Sequence, residues 1–178
     1  QLIGMVLERA TGQNASYYLQ EKIWKPIGME FNGSWSLDSE KSGFEQMQSG
    51  INARAIDFAK FGRLYLKNGS WNGSQVIPAK WVAESTQEDG SLDRATYYLY
   101  DQNLEGFQFF KDNGYYGYFW WGNRRDDGKY DFSAQGHLGQ WIYVSPQADL
   151  IIVRNGKREL PKEWGAPMSQ FIRAMGKT

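Results

Sequence analysis

Residues 134–155 read Ala-Gln-Gly-His-Leu-Gly-Gln-Trp-Ile-Tyr-Val-Ser-Pro-Gln-Ala-Asp-Leu-Ile-Ile-Val-Arg-Asn. Gln140 to Val144 and Leu150 to Arg154 are short runs rich in β-branched and aromatic residues, separated by turn residues, and read as two strands. An antiparallel neighbour needs at least two residues of turn before Gln140. His137-Leu138-Gly139 is therefore the turn, and Ala134-Gln135-Gly136 closes the strand before it. A glycine-rich turn on a strand edge can aim backbone N–H groups at a ligand.

Upstream of this stretch, Tyr116 to Trp121 reads as a strand, Arg124 to Gly128 as a charged hairpin tip, and Tyr130 to Gln135 as the returning strand. Before residue 115 the spacing is helical. Leu2 to Arg9 carries apolar residues at helical intervals and stops at Gly12. Asn14 can cap a helix from Ala15 to Trp24, ended by Pro26 and Gly28. Residues 31–48 read as loop with at most a short strand. Asn52 is the expected cap of the clearest helix, Ala53 to Lys67, closed by Asn68-Gly69. Ser70 to Ser74 is a turn, and Pro78 opens a helix reaching Thr86. Residues 87–114 read as a long surface loop, and Pro161 to Met175 as a terminal helix. The organisation is α+β, an antiparallel sheet with flanking helices in one domain. Residues 1–114 form a mainly helical region with long loops, and residues 115–178 form sheet hairpins plus the last helix.

Composition narrows the functions. The chain has 178 residues, enough for one core. With 20 basic and 20 acidic residues, no field favours nucleic acid or an anionic membrane. There is no cysteine and one histidine, which argues against a metal site. No apolar run approaches the roughly 20 residues of a membrane span. The start at Gln1, with no cap before the first helix, reads as a chain cut from something longer. Aromatic residues make up 16% of the chain, which suits either a well-filled core or a ring-walled cleft. Trp120 and Trp121 alternate across a strand; Trp120 is the one expected to meet a substrate.

A self-contained catalytic set is not found. No Gly-x-Ser-x-Gly elbow, phosphate loop or dinucleotide fingerprint occurs. Glu88-Asp89 and Asp126-Asp127 read as solvated surface.

Several segments in order carry a resemblance. These are Leu2-Ile3-Gly4-Met5-Val6-Leu7-Glu8-Arg9-Ala10-Thr11-Gly12, Pro26-Ile27-Gly28-Met29, the Gly50–Gly62 segment with its Asp57-Phe58-Ala59, Trp71-Asn72-Gly73, Ile77-Pro78-x-x-Trp81-Val82, and Tyr116-Gly117-Tyr118-Phe119-Trp120-Trp121. Together they resemble the C-terminal portion of the serine β-lactamase and penicillin-binding-protein superfamily, in the branch of class C β-lactamases, esterases and 6-aminohexanoate-dimer hydrolases. The resemblance implies a β-lactamase/transpeptidase-like fragment and acyl transfer to and from a serine, on an ester or amide and without a cofactor. It also implies an extracytoplasmic setting. The family's Ser-x-x-Lys and Tyr-x-Asn motifs do not occur in this chain, so the nucleophile is expected upstream.

The family's Lys/His-Thr-Gly strand corresponds, on this resemblance, to Ala134-Gln135-Gly136, with alanine and glutamine replacing the cation and the hydroxyl. His137 then takes the place where the family has an oxyanion-hole N–H, contributing backbone rather than imidazole. Gln135, Gly136, Leu138, Gly139 and Trp120 are the expected substrate contacts. The last strand, 150–154, is expected as an apolar edge that self-associates or awaits a missing N-terminal segment. A rival reading, from the aromatic residues around Tyr115 to Trp121, is a non-catalytic module binding glycan or peptide.

Overall fold

The structure, a computed structural model, describes residues 1–103, 107–125 and 127–157. The helix expected over Pro161 to Met175 lies outside them. Five strands form one antiparallel meander: β5 Gly114–Gly117, β6 Trp120–Arg124, β7 Tyr130–Gly136, β8 Gln140–Ser145 and β9 Leu150–Arg154, lying side by side in chain order. The earlier elements are α1 Leu2–Thr11, α2 Ala15–Leu19, the two-residue strands β1 Ser34–Trp35 and β2 Ile51–Asn52, α3 Ala55–Leu66, the hairpin strands β3 Ser70–Trp71 and β4 Ser74–Gln75, and α4 Ala79–Thr86. The α+β reading with an antiparallel sheet and flanking helices holds.

Local chemistry explains the element ends. Gly12 takes φ 70° and donates its N–H to the Glu8 carbonyl, closing α1. The Asn14 side chain accepts the Tyr17 N–H at 3.1 Å, and α2 runs on through a π-helical turn, Gln20–Trp24. Asn68 and Gly69 both adopt left-handed φ after α3, as their types favour.

Three expectations are corrected. Asn52 does not cap α3: it sits in β2 opposite Ser34, and the helix begins after Arg54 with the acidic Asp57 in its first turn, where the helix dipole favours it. Tyr116 to Trp121 is not one strand. Tyr118 and Phe119 have φ of 48° and 69°, so the chain reverses between β5 and β6. Neither residue type advertises such a turn. The Tyr118 ring meets Trp81 edge-on at 5.0 Å, and its hydroxyl donates to Glu84 at 3.2 Å, holding the reversal in place. Finally, the region 87–114 is not all loop: it contains the helical turns α5 Arg94–Tyr97 and α6 Phe107–Lys111.

The core forms where α3 lies across β8 and β9. Gly62 makes this approach possible, since a Cβ there would stand 2.9 Å from Ile151 Cγ2 and 3.1 Å from Ile142 Cγ2. Leu64, Tyr65, Val82, Phe132 and Val144 fill the space between helices and sheet. A second cluster, built on Tyr98, Phe110 and Tyr115 with Trp121 against it, seats the 94–111 region on the sheet. Among the described residues, no strand pairs with the outer edge of β9, and no helix is long and apolar enough to cross a membrane.

Candidate functional site: the glycine turn after β7

The last rung of the β7–β8 ladder pairs Gly136 with Gln140, leaving His137, Leu138 and Gly139 as a three-residue 3-10 turn. The turn needs left-handed backbone at Leu138 (φ 59°) and Gly139 (φ 73°). Glycine takes that conformation freely, whereas leucine does so at a cost that its surroundings must offset.

Those surroundings are the chain just beyond β9. Arg154 donates from its guanidinium to the Gly139 carbonyl. Gln140 donates its side-chain amide to the Gly156 carbonyl at 2.6 Å and accepts the Gly156 N–H at 3.0 Å. A Cβ on Gly156 would lie 2.2 Å from the Leu138 carbonyl oxygen, so only glycine allows the two segments to lie this close. Next in line, the Asn155 amide donates to the Ala53 carbonyl at 3.2 Å. The turn, the end of β9 and the segment leading into α3 are thus stitched into one wall.

The structure brings four of the six expected site residues to the exposed end of β7 and its turn: Gln135, Gly136, His137 and Leu138 are all exposed. Gly139 is buried beneath them. Gln135 is oriented by a bond from its amide to Ser133 Oγ at 3.0 Å. Deeper on the same strand, Asp131 accepts from the Tyr143 hydroxyl at 2.8 Å and lies 3.7 Å from an Arg125 nitrogen.

Trp120 is not brought to this edge. It is 5% exposed and packed among Tyr65, Phe61 and Phe132, the nearest ring centroid at 4.7 Å. Its indole is a core group, because the reversal at Tyr118-Phe119 sets its side of β6 toward α3.

Two concavities lie away from the turn. One, of about 330 Å³, is bordered by Glu88, Tyr115, Arg124 and Tyr130. There Glu88 is bonded by both Arg94 and Arg124, and the buried Tyr115 hydroxyl donates to the Thr86 carbonyl at 2.6 Å. Burial raises the Tyr115 pKa far above that of free tyrosine, so this phenol is a poor proton donor or acceptor at neutral pH. The other, of about 820 Å³, lies between α2 and the β1–β2 region. Sequence reasoning did not anticipate it, since its walls come from segments up to 38 positions apart, Gln13 to Ile51. Among the described residues no group of acidic and histidine side chains is arranged to hold a metal ion.

A family model described as Beta-lactamase matches residues 1–168. The chain belongs to the beta-lactamase family. A solved structure named as a 6-aminohexanoate-dimer hydrolase from Bacillus anthracis is 25% identical and superposes with a TM-score of 0.75, over 97% of this chain and 40% of the other. A second, named as a beta-lactamase from Bacteroides dorei DSM 17855, shares the fold at 17% identity and a TM-score of 0.64, over 98% of this chain and 55% of that one. No curated protein matches the chain. The chain thus spans about half the length, or less, of these beta-lactamase-fold proteins. The Ser-x-x-Lys and Tyr-x-Asn motifs remain absent from its 178 residues.

Proposed function

We propose that this chain supplies one wall of a serine-hydrolase acyl-transfer site acting on an ester or amide. The attacking serine, its lysine and the tyrosine base come from polypeptide outside residues 1–178. The observation that supports this most is the pinned turn: Arg154 and the Gln140–Gly156 pair restrain the backbone around His137 before any substrate arrives. Preorganised N–H donors are effective because they need no reorganisation as negative charge develops on the carbonyl oxygen. One such donor typically stabilises the transition state by about 3 kcal/mol. In this reading the His137 N–H and the N–H of the serine share the oxyanion, and the imidazole is a bystander.

The substrate follows from what β7 lacks. Ala134 and Gln135 carry neither cation nor hydroxyl where the family uses both to hold a substrate carboxylate. We therefore assign an ester or amide without an anion at that position, contacted by Gln135, Gly136, Leu138 and Gly139. The outer edge of β9 is where we place a strand of the complementary polypeptide or of a second copy.

The test uses a polypeptide carrying the Ser-x-x-Lys and Tyr-x-Asn segments together with residues 1–178. A fluorophosphonate probe should label its serine, and His137→Pro, which deletes the N–H, should lower kcat by about 100- to 1000-fold while His137→Ala changes it little. A folded product that takes no label, or His137→Ala and His137→Pro variants equally impaired, rejects the assignment.

A further inference from the structure

The 820 Å³ groove between α2 and the β1–β2 region has an unusual charge pattern. Among the described residues Glu45 is the only charged one that lines it; the rest are amides, hydroxyls, aliphatic groups, a glycine and the rings of Tyr17, Trp24 and Trp35. Glu45 is 5% exposed. One of its carboxylate oxygens accepts the Ser16 N–H at 2.9 Å, in the first turn of α2. No lysine or arginine pairs with it among the described residues, where seven ion-pair contacts are formed elsewhere. A carboxylate with no cationic partner favours a positively charged ligand over an anion.

The rings add a second, independent preference. The Trp24 indole N–H is committed to the Phe31 carbonyl at 2.9 Å, and that of Trp35 to the Gln46 and Ser49 carbonyls at 3.0 and 3.1 Å. With their donors used, these indoles offer a ligand π surface. None of the cation–π contacts formed by Lys22, Arg54, Arg63 and Arg94 uses Tyr17, Trp24 or Trp35. A buried carboxylate and three rings, with no lysine or arginine among the described lining residues, form a lining that disfavours anions and attracts organic cations. A quaternary ammonium suits the rings best, because its diffuse charge and apolar methyl groups pack on π faces with little loss of hydration.

The geometry points to this groove as a binding site for a small quaternary ammonium ligand. The site is separate from the glycine turn, and the inference does not rest on the hydrolase reading.

The test titrates residues 1–178 with choline and with its uncharged isostere 3,3-dimethyl-1-butanol, following the tryptophan indole N–H signals by NMR. Choline should shift two of the eight indole signals saturably, and the isostere should bind at least about tenfold more weakly. Glu45→Gln keeps an acceptor for the Ser16 N–H while removing the charge, and should weaken choline by a similar factor. Tyr17→Leu alters a half-exposed ring whose hydroxyl forms no hydrogen bond among the described residues, and should also weaken choline. It decides the question if Glu45→Gln does not fold. Equal affinity for choline and the isostere, no saturable shift, or parent-like choline binding by the folded variants each overturns the site.

Discussion

Gln140 and Gly156 exchange two hydrogen bonds, side-chain amide to carbonyl at 2.6 Å and backbone N–H to amide oxygen at 3.0 Å. A glutamine here imitates the rung that a paired strand would supply, and so extends the β8–β9 ladder past its last backbone pair. Gln140→Leu removes both bonds and strands the Gly156 groups. It should destabilise the fold by about 1–3 kcal/mol, at 0.5–1.5 kcal/mol for each net bond, read from the urea midpoint. An unchanged midpoint would show that the pair is not holding the segment.

Gly156→Ala tests the closeness of the same approach. The new methyl would meet the Leu138 carbonyl oxygen at 2.2 Å and that of Gly139 at 2.8 Å, both of them backbone atoms. Relief requires the turn to move, at a cost of about 1–3 kcal/mol. The accompanying signature is displacement of the His137 and Leu138 amide signals in NMR, with α1 signals unmoved.

Asp57 offers a test remote from the turn. It is fully buried, and Oδ1 accepts the Glu30 N–H at 2.7 Å while Oδ2 has no hydrogen-bond partner among the described residues. Asp57→Ala leaves the Glu30 donor stranded and opens a small void, so a loss of about 2–3 kcal/mol is expected. Asp57→Asn keeps the acceptor and removes a buried charge. It should cost clearly less, and chemical denaturation giving the opposite ranking would contradict this account of the residue.

Tyr115 offers a test at alkaline pH. Desolvation raises its pKa in the folded state well above the ordinary 10.0. The unfolded chain therefore releases this proton first as pH rises. The tyrosine's contribution is complete below about pH 10 and declines above it as the folded state continues to hold the proton. Tyr65, Tyr98 and Tyr116 shift the same way, also from desolvation. Tyr115→Phe should lower stability modestly at pH about 8, through the lost bond to Thr86, and make the fall between pH about 10 and 11 shallower. An equally steep fall in the variant would place the linkage elsewhere.

The outer edge of β9 carries Leu150-Ile151-Ile152-Val153 with no strand beside it among the described residues. Such edges pair with other chains unless blocked. Sedimentation of residues 1–178 should give a mass that rises with concentration, and Ile152→Lys should suppress the rise. A monomer at all concentrations would mean that the edge is covered.

What could be read from sequence was what period and punctuation encode. The 137–139 turn followed from counting residues between two strand-like runs, and Gly12 and Asn68-Gly69 ended their helices as their backbone freedom suggests. The reversal at Tyr118-Phe119 was hidden because aromatic residues rarely take positive φ; Trp81 and Glu84, more than 30 positions upstream, stabilise it. That hidden turn also misdirected Trp120, whose side of the sheet depends on where β6 begins. Asn52 looked like a cap but was recruited by Ser34 across a two-residue ladder. The groove around Glu45 left no local signal, because its parts meet only in the folded chain.

The bond from Asn155 to Ala53 joins positions 102 apart. Loop-closure entropy grows only logarithmically, so spanning that distance costs little at equilibrium. Its burden falls on the clock instead: nonlocal contacts form slowly, and the wall around the glycine turn should be among the last regions to acquire native protection during refolding.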